Sequence, residues 1–116
     1  MHELPITESI LKVVLKHAEK NHAQKVMTIR LQVGKFSDLQ DEWIQRYFDY
    51  LSMGTIAEGA QLKIERTPII FQCNNCNTSY EVEMATMGNA VCPACGVKDG
   101  LLISGREYFI KEMEVQ

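Results

Sequence analysis

Two cysteine pairs constrain this chain more than any other feature: Cys73-Asn-Asn-Cys76 and Cys92-Pro-Ala-Cys95, separated by fifteen residues. Two residues between cysteines let a tight turn aim both sulfurs at one ion, and an intervening hairpin brings the second pair opposite the first. The spacing is that of a four-thiolate metal site. Asn77 follows the first pair and Gly96 the second. Both residue types tolerate positive φ, which such a turn needs to point backbone N–H groups at the sulfurs.

Four sulfur ligands select zinc or iron in tetrahedral geometry, and a closed shell leaves no position open for catalysis. Zinc is preferred over iron, and the role is expected to be structural. A segment this small buries little apolar surface, so the ion should supply much of its folding free energy, on the order of 10 kcal/mol. Stable disulfides are disfavoured for a chain expected to stay cytoplasmic, and neither pair lies in a thioredoxin-like strand-to-helix context.

At 116 residues, 46% hydrophobic and 23% charged, the chain has the makings of one main core with a small appendage. Its longest apolar runs, such as Ile69-Ile70-Phe71, are far too short to cross a bilayer, and no signal peptide precedes the first helix. No membrane partner is expected. Nor is nucleic acid: the net charge is −3, and Cys73 to Cys95 contains no Lys or Arg.

Ile6, Ile10, Val13, Val14 and His17 recur at helical spacing and predict an amphipathic helix from Pro5 to Lys20, with His17 on the apolar face. Met27 to Val33 alternates and stops at Gly34, as a strand does. Ser37 and Gln40 resemble a capping box, with Asp38 as the other capping residue. Leu39, Trp43, Ile44, Tyr47, Phe48 and Leu51 then predict a second helix, with Trp43 and Tyr47 in the core and Tyr50 outward. Leu62 to Glu65 starts a second strand, which with the first predicts a right-handed parallel crossover; Tyr108 to Val115 reads as a third. The fold class is therefore α+β: an α/β-like domain of two helices on a small three-stranded mixed sheet, residues 1–71 and 97–116, with an inserted four-cysteine zinc ribbon, residues 72–96.

All three histidines lie in the first fifth of the chain. His22 falls in a polar turn. His2 stands beside the α-amino group of Met1, and that amine, the His2 backbone nitrogen and the imidazole form fused chelate rings around one ion. This nitrogen set suits square-planar nickel(II) or copper(II), with a backbone nitrogen from Glu3 or a carboxylate completing the plane. Any chain with histidine second has the same capacity, so the chelate alone does not establish a site.

Taken in order, "MHE", a helix, a strand ending in "VG", then "GTIAEGAQL", the CxxC/CxxC ribbon and a terminal "EMEV" resemble the HypA/HybF family of hydrogenase nickel-insertion accessory proteins. The resemblance covers essentially the whole chain. It implies a nickel metallochaperone, not an enzyme: structural Zn2+ on Cys73, Cys76, Cys92 and Cys95, and transient Ni2+ cargo at His2 with Met1 and Glu3 contributing. It further implies a nickel-handling GTPase and a hydrogenase large-subunit precursor as partners, with urease a second destination in some members. Asp38 or Asp41 is implied as a further carboxylate.

Three other classes compete. An enzyme lacks support, since no Gly-rich phosphate loop, nucleophile elbow or acid/base pair is present. A rubredoxin-like electron carrier shares the four-sulfur set and would be red. A zinc-ribbon protein–protein adaptor without metal delivery is the principal alternative.

Overall fold

The structure is a computed structural model and describes residues 3–116. Its elements are α1 (Glu3–Lys20), β1 (Val26–Gly34), α2 (Asp41–Leu51), β2 (Gln61–Thr67), β3 (Ile69–Cys73), β4 (Ser79–Val82), a 3-10 turn (Met84–Asn89), β5 (Gly100–Ser104) and β6 (Tyr108–Val115). They divide into two compact units. One takes in the chain up to Gln32, Asp38–Glu65 and Phe109–Gln116; the other takes in Val33–Ser37 and Arg66–Tyr108.

In the first unit α1 packs against α2. Thr7, Ile10, Leu11, Val14 and Ala18 are buried along α1, at the spacing that puts one stripe of a helix inward. From α2 only Ile44 and Phe48, one turn apart, are fully buried. Val26, Ile29 and Leu31 of β1 and Leu62 of β2 add to this core. Each such aliphatic or aromatic side chain contributes about 1.5–3 kcal/mol relative to exposure.

The strand order is β2-β1-β6. The Gln32 side chain donates to Glu65 and the Lys35 N–H to the Thr67 carbonyl, so residue numbers on β1 and β2 rise together, as in a parallel pair. On the other side Gln24 and Lys25 donate to Gln116 while Gly34 donates to Glu107, the opposite sense. The sheet is mixed, as expected, and its β1–β2 pair is the parallel one that the order strand, helix, strand predicts.

α1 ends in a Schellman motif: Ala23 N–H reaches the Ala18 carbonyl and His22 N–H the Glu19 carbonyl, with His22 at φ 56. His22 thus serves as a helix stop. His17 is exposed rather than on the buried stripe, because Ala18 takes the inward position in that turn. Trp43, expected in the core, is 42% exposed and stacks on half-buried Tyr47 at 5.8 Å between centroids. Burial of Ile44 and Phe48 turns the aromatic stripe outward. The capping box is not realised either: the N-cap of α2 is Gln40, whose side chain makes no cap hydrogen bond.

The second unit is organised by a further antiparallel sheet of order β4-β3-β5, which the apolar run at Ile69 does not by itself distinguish from a continuation of β2. β3 pairs Ile69 to Val82 and Gln72 to Ser79 on one side, and Gln72 to Leu101 and Cys73 to Gly100 on the other. Its core is Ile69, Cys73, Tyr80, Val82 and Cys92, flanked by Phe36, Phe71, Met87, Ala90 and Leu102.

Glu107 closes a loop of this unit. Its carboxylate accepts the Gly105 N–H at 2.7 Å, the Thr67 hydroxyl at 2.9 Å and the Ser104 hydroxyl at 3.0 Å. The Gly105 N–H foremost, against the penalty of burial, pulls its pKa down to about 2. A carboxylate depressed below its unfolded value stabilises the fold above that value and ceases to do so as pH falls. The stability difference between wild type and Glu107→Gln should therefore be full near neutrality and close as pH falls from 4.5 to about 2, read from urea midpoints across that range. A difference that stays constant with pH would show that the clasp carries no charge-dependent stability.

Candidate metal centre

The turn joining β3 to β4 is the first knuckle. Cys73 ends β3, and its N–H and carbonyl are both used locally: the N–H donates to the Thr78 carbonyl and the carbonyl accepts the Asn77 N–H, each at 2.9 Å. Asn77 has φ 63, and the Asn75 N–H points at Cys73 Sγ at 3.4 Å. The second knuckle repeats the pattern. Cys92 N–H donates to the Val97 carbonyl, the Gly96 N–H returns to the Cys92 carbonyl at 2.7 Å, and Gly96 has φ 75. The two positive-φ residues are the ones that the sequence places after each pair.

This local chemistry brings four sulfurs together. All four Sγ atoms lie within 4.8 Å of one another, with Cys73 to Cys95 at 3.6 Å and Cys76 to Cys92 at 3.5 Å. A tetrahedral ion with metal–sulfur bonds of about 2.3 Å requires sulfur–sulfur edges of about 3.8 Å. The set fits a zinc or iron ion with little adjustment. Cys73 and Cys92 are buried and Cys76 and Cys95 exposed, so one sulfur of each knuckle anchors the core and the other faces solvent. Asn74 braces the first knuckle, donating from its backbone to the Asp99 carbonyl and from its side chain to the Asp99 carboxylate. Hydrogen bonds with the Thr78 hydroxyl and then the Thr78 backbone lower the Cys76 pKa to about 6, whereas at Cys73 the hydrogen bond from the Cys76 backbone is outweighed by burial and the neighbouring thiols, and the thiol is pushed up to about 11. Among the described residues no other group of three or more His, Cys, Asp or Glu side chains is placed to hold a metal.

Of the other sequence-derived candidates, Met1 and His2 lie outside the described residues. Glu3 is the first residue of α1 and is 5% exposed. Its Oε2 accepts the Gln40 N–H at 3.1 Å, so one carboxylate ties the start of α1 to the N-cap of α2. The Glu3 carbonyl accepts the Thr7 hydroxyl. The Gln40 partner of the Glu3 carboxylate, thirty-seven residues away, is invisible to local pattern, and the helix expected from Pro5 in fact begins at Glu3. Asp38 and Asp41 both take part in polar or ionic interactions, and Asp41 opens α2.

The fold and site define a class: a small α/β protein with a four-cysteine metal ribbon. Residues 1–115 match the family described as "Hydrogenase/urease nickel incorporation, metallochaperone, hypA". Among relatives, the hydrogenase maturation factor HypA of Dehalococcoides mccartyi is 36% identical over 115 residues, 99% of this chain and 94% of that one. The HypA of Geobacter sulfurreducens is 34% identical over the full length of both. The solution structure of the Ni metallochaperone HypA from Helicobacter pylori superposes with a TM-score of 0.70 at 22% identity, covering 99% of this chain and 97% of that one. A second HypA solution structure gives 0.76 at 22% identity, covering 100% and 97%; at that identity both likenesses speak for the fold. The chain belongs to the HypA family of nickel-incorporation metallochaperones in hydrogenase maturation.

Proposed function

We propose that this protein binds nickel(II) at Met1, His2 and Glu3 and passes it to the maturation machinery of a [NiFe]-hydrogenase, with zinc held structurally by the four cysteines. The match of residues 1–115 to the nickel-incorporation family carries the reading. The chemistry of the cysteine set supports the division of labour: four thiolates complete a tetrahedral shell, so cargo needs ligands elsewhere. When bound, zinc supplies charge neutralisation and folding free energy rather than reactivity. Residues 72–96 form the zinc-ribbon domain of this reading, and residues 1–71 and 97–116 the nickel-binding domain.

Glu3 is suited to a dual role. Its backbone nitrogen sits in the first turn of α1, where helix amides lack intrahelical partners, and its carboxylate holds that turn to α2. A ligand set at the head of a rigid helix is presented at a reproducible place. The receiving partners are a nickel-handling GTPase and the hydrogenase large-subunit precursor.

Nickel titration of the zinc-loaded protein tests the reading, comparing the native start with one residue added before Met1 and with His2→Ala. Both changes should abolish stoichiometric nickel binding while leaving zinc and the fold intact. Because the α-amine and imidazole must be deprotonated, with reference pKa values of about 7.7–8.0 and 6.5, nickel affinity should fall as pH drops from 8 to about 6. Unchanged nickel binding in both variants would make His2 a bystander and leave a zinc-ribbon adaptor.

A further inference from the structure

The outward stripe of α2 is aromatic. Trp43, Tyr47 and Tyr50 stand at i, i+4 and i+7, on a face beside the one that buries Ile44 and Phe48. Tyr50 is 73% exposed, and Met53, in the turn that follows, is 63% exposed. Single apolar side chains on a surface are ordinary, whereas a continuous row of large ones marks a contact site. The helix gains nothing from this row, because Trp and Tyr form helices less well than the straight-chain residues that suit exposed positions. The rings are nevertheless held in place: Trp43 stacks on Tyr47, and the Arg46 guanidinium lies 5.2 Å from the Trp43 ring centre while pairing with Glu42 at 2.7 Å. Side chains already ordered lose little freedom when covered, and Trp, Tyr and Arg are the residue types that carry most binding energy at protein interfaces.

Charge indicates what covers them. The connection between β1 and β2, residues 35–60, holds five acidic and two basic side chains, a net −3 equal to that of the whole chain; the other 90 residues, with ten of each, sum to zero. Helical periodicity sets exposed Glu42 and Asp49 along the border of the aromatic row that faces away from the core. Asp41 and Glu42 in the first turn suit the helix dipole, but Asp49 in the last turn opposes it, and no basic residue stands there to offset it. The charge of this face therefore serves something other than the helix. It repels an anionic bilayer or a nucleic acid, and a second copy would set like against like. An aromatic row with carboxylates along one border complements a cationic amphipathic segment.

We propose that the Trp43–Tyr47–Tyr50 row, bordered by Glu42 and Asp49, is the docking surface for a basic amphipathic helix of a protein partner. Lysine or arginine side chains of that helix pair with the two carboxylates, and its aliphatic side chains cover Trp43 and Tyr50. The surface belongs to α2 and operates with or without bound nickel.

Trp43 is the chain's one tryptophan, so its emission reports on this face. The test titrates the full zinc-loaded protein with a synthetic helical peptide free of Trp and Tyr, carrying lysines at three successive i, i+4 positions and leucines on the adjoining row. Versions with glutamate for lysine or serine for leucine, and phosphatidylserine vesicles, are run in parallel. Trp43 emission should move to shorter wavelength with the lysine–leucine peptide only. By calorimetry, Tyr50→Ala and Trp43→Ala should each weaken binding at least about tenfold, with Tyr50→Phe and Trp43→Phe restoring most of it. Asp49→Asn should weaken it about threefold at low salt and less at high salt. All three positions are exposed, so the far-ultraviolet spectrum of each variant should match wild type. An unmoved emission, indifference to Tyr50→Ala or Asp49→Asn, or an equal response to vesicles would overturn the proposal, as would an emission that shifts with protein concentration alone, the mark of self-association.

Discussion

Cys92→Ser should strip the protein of its ribbon metal and unfold the second unit. Cys92 is 1% exposed, belongs to the core of that unit and lies 3.5 Å from Cys76 Sγ. Replacing its sulfur leaves three thiolates and a poor hydroxyl ligand, and a structural site of this kind contributes on the order of 10 kcal/mol at neutral pH. The five-residue core around Ile69 has too little apolar area to hold three short strands alone. Metal content by mass spectrometry should drop from one ion per chain, and limited proteolysis should open residues 73–108. Far-ultraviolet helicity should persist, since both α helices lie in the other unit. Full metal content with undiminished protease resistance would mean that the four sulfurs do not act as one ligand set.

The second large effect is expected at Gly34, whose place at the end of β1 looks unremarkable in the sequence. A Cβ there would lie 1.9 Å from the Gly105 carbonyl oxygen and 2.7 Å from the Arg106 nitrogen. Neither neighbour can withdraw, because both belong to backbone. The Gly34 N–H donates to the Glu107 carbonyl and the Phe36 N–H to the Gly105 carbonyl, each at 2.8 Å, so relief of the clash breaks these bonds. Gly34→Ala should therefore destabilise by about 3 kcal/mol or more, overpacking and lost hydrogen bonds acting together. Gly88 provides the control: its Cβ would meet nothing within 4 Å, and Gly88→Ala should change stability by no more than about 0.5 kcal/mol. Equal urea midpoints for the two variants would contradict the close approach at Gly34.

The cysteine cluster was legible because its determinants are local. Two residues between thiols, a positive-φ residue after each pair and a fifteen-residue separation are properties of the chain itself, and the structure joins them into one tetrahedral set. The existence of α1 and of the three strands of the mixed sheet was legible for the same reason, but the stripe read for α1 held only at Ile10 and Val14: Val13 and His17 are exposed, and Thr7, Leu11 and Ala18 are buried instead.

Tertiary structure decided where several chemically ambiguous side chains went. Trp43 faces outward since only one stripe of α2 fits the core, and Ile44 with Phe48 fills it. The N-cap of α2 passed to Gln40 as Glu3, distant in sequence, supplies an acceptor for its N–H. β3 became the centre of a second sheet through partners at Ser79–Val82 and Gly100–Ser104, whose short runs carry little periodic signal. Glu107 gained its three donors when Thr67 and Gly105 were brought to one loop. The sequence by itself determined the pairing of the four cysteines, the knuckle turns and the presence of the amphipathic elements, each a matter of neighbours along the chain. Only the fold determined which faces are buried, which cap is used and which glycine admits no side chain, because those depend on backbone arriving from residues far away.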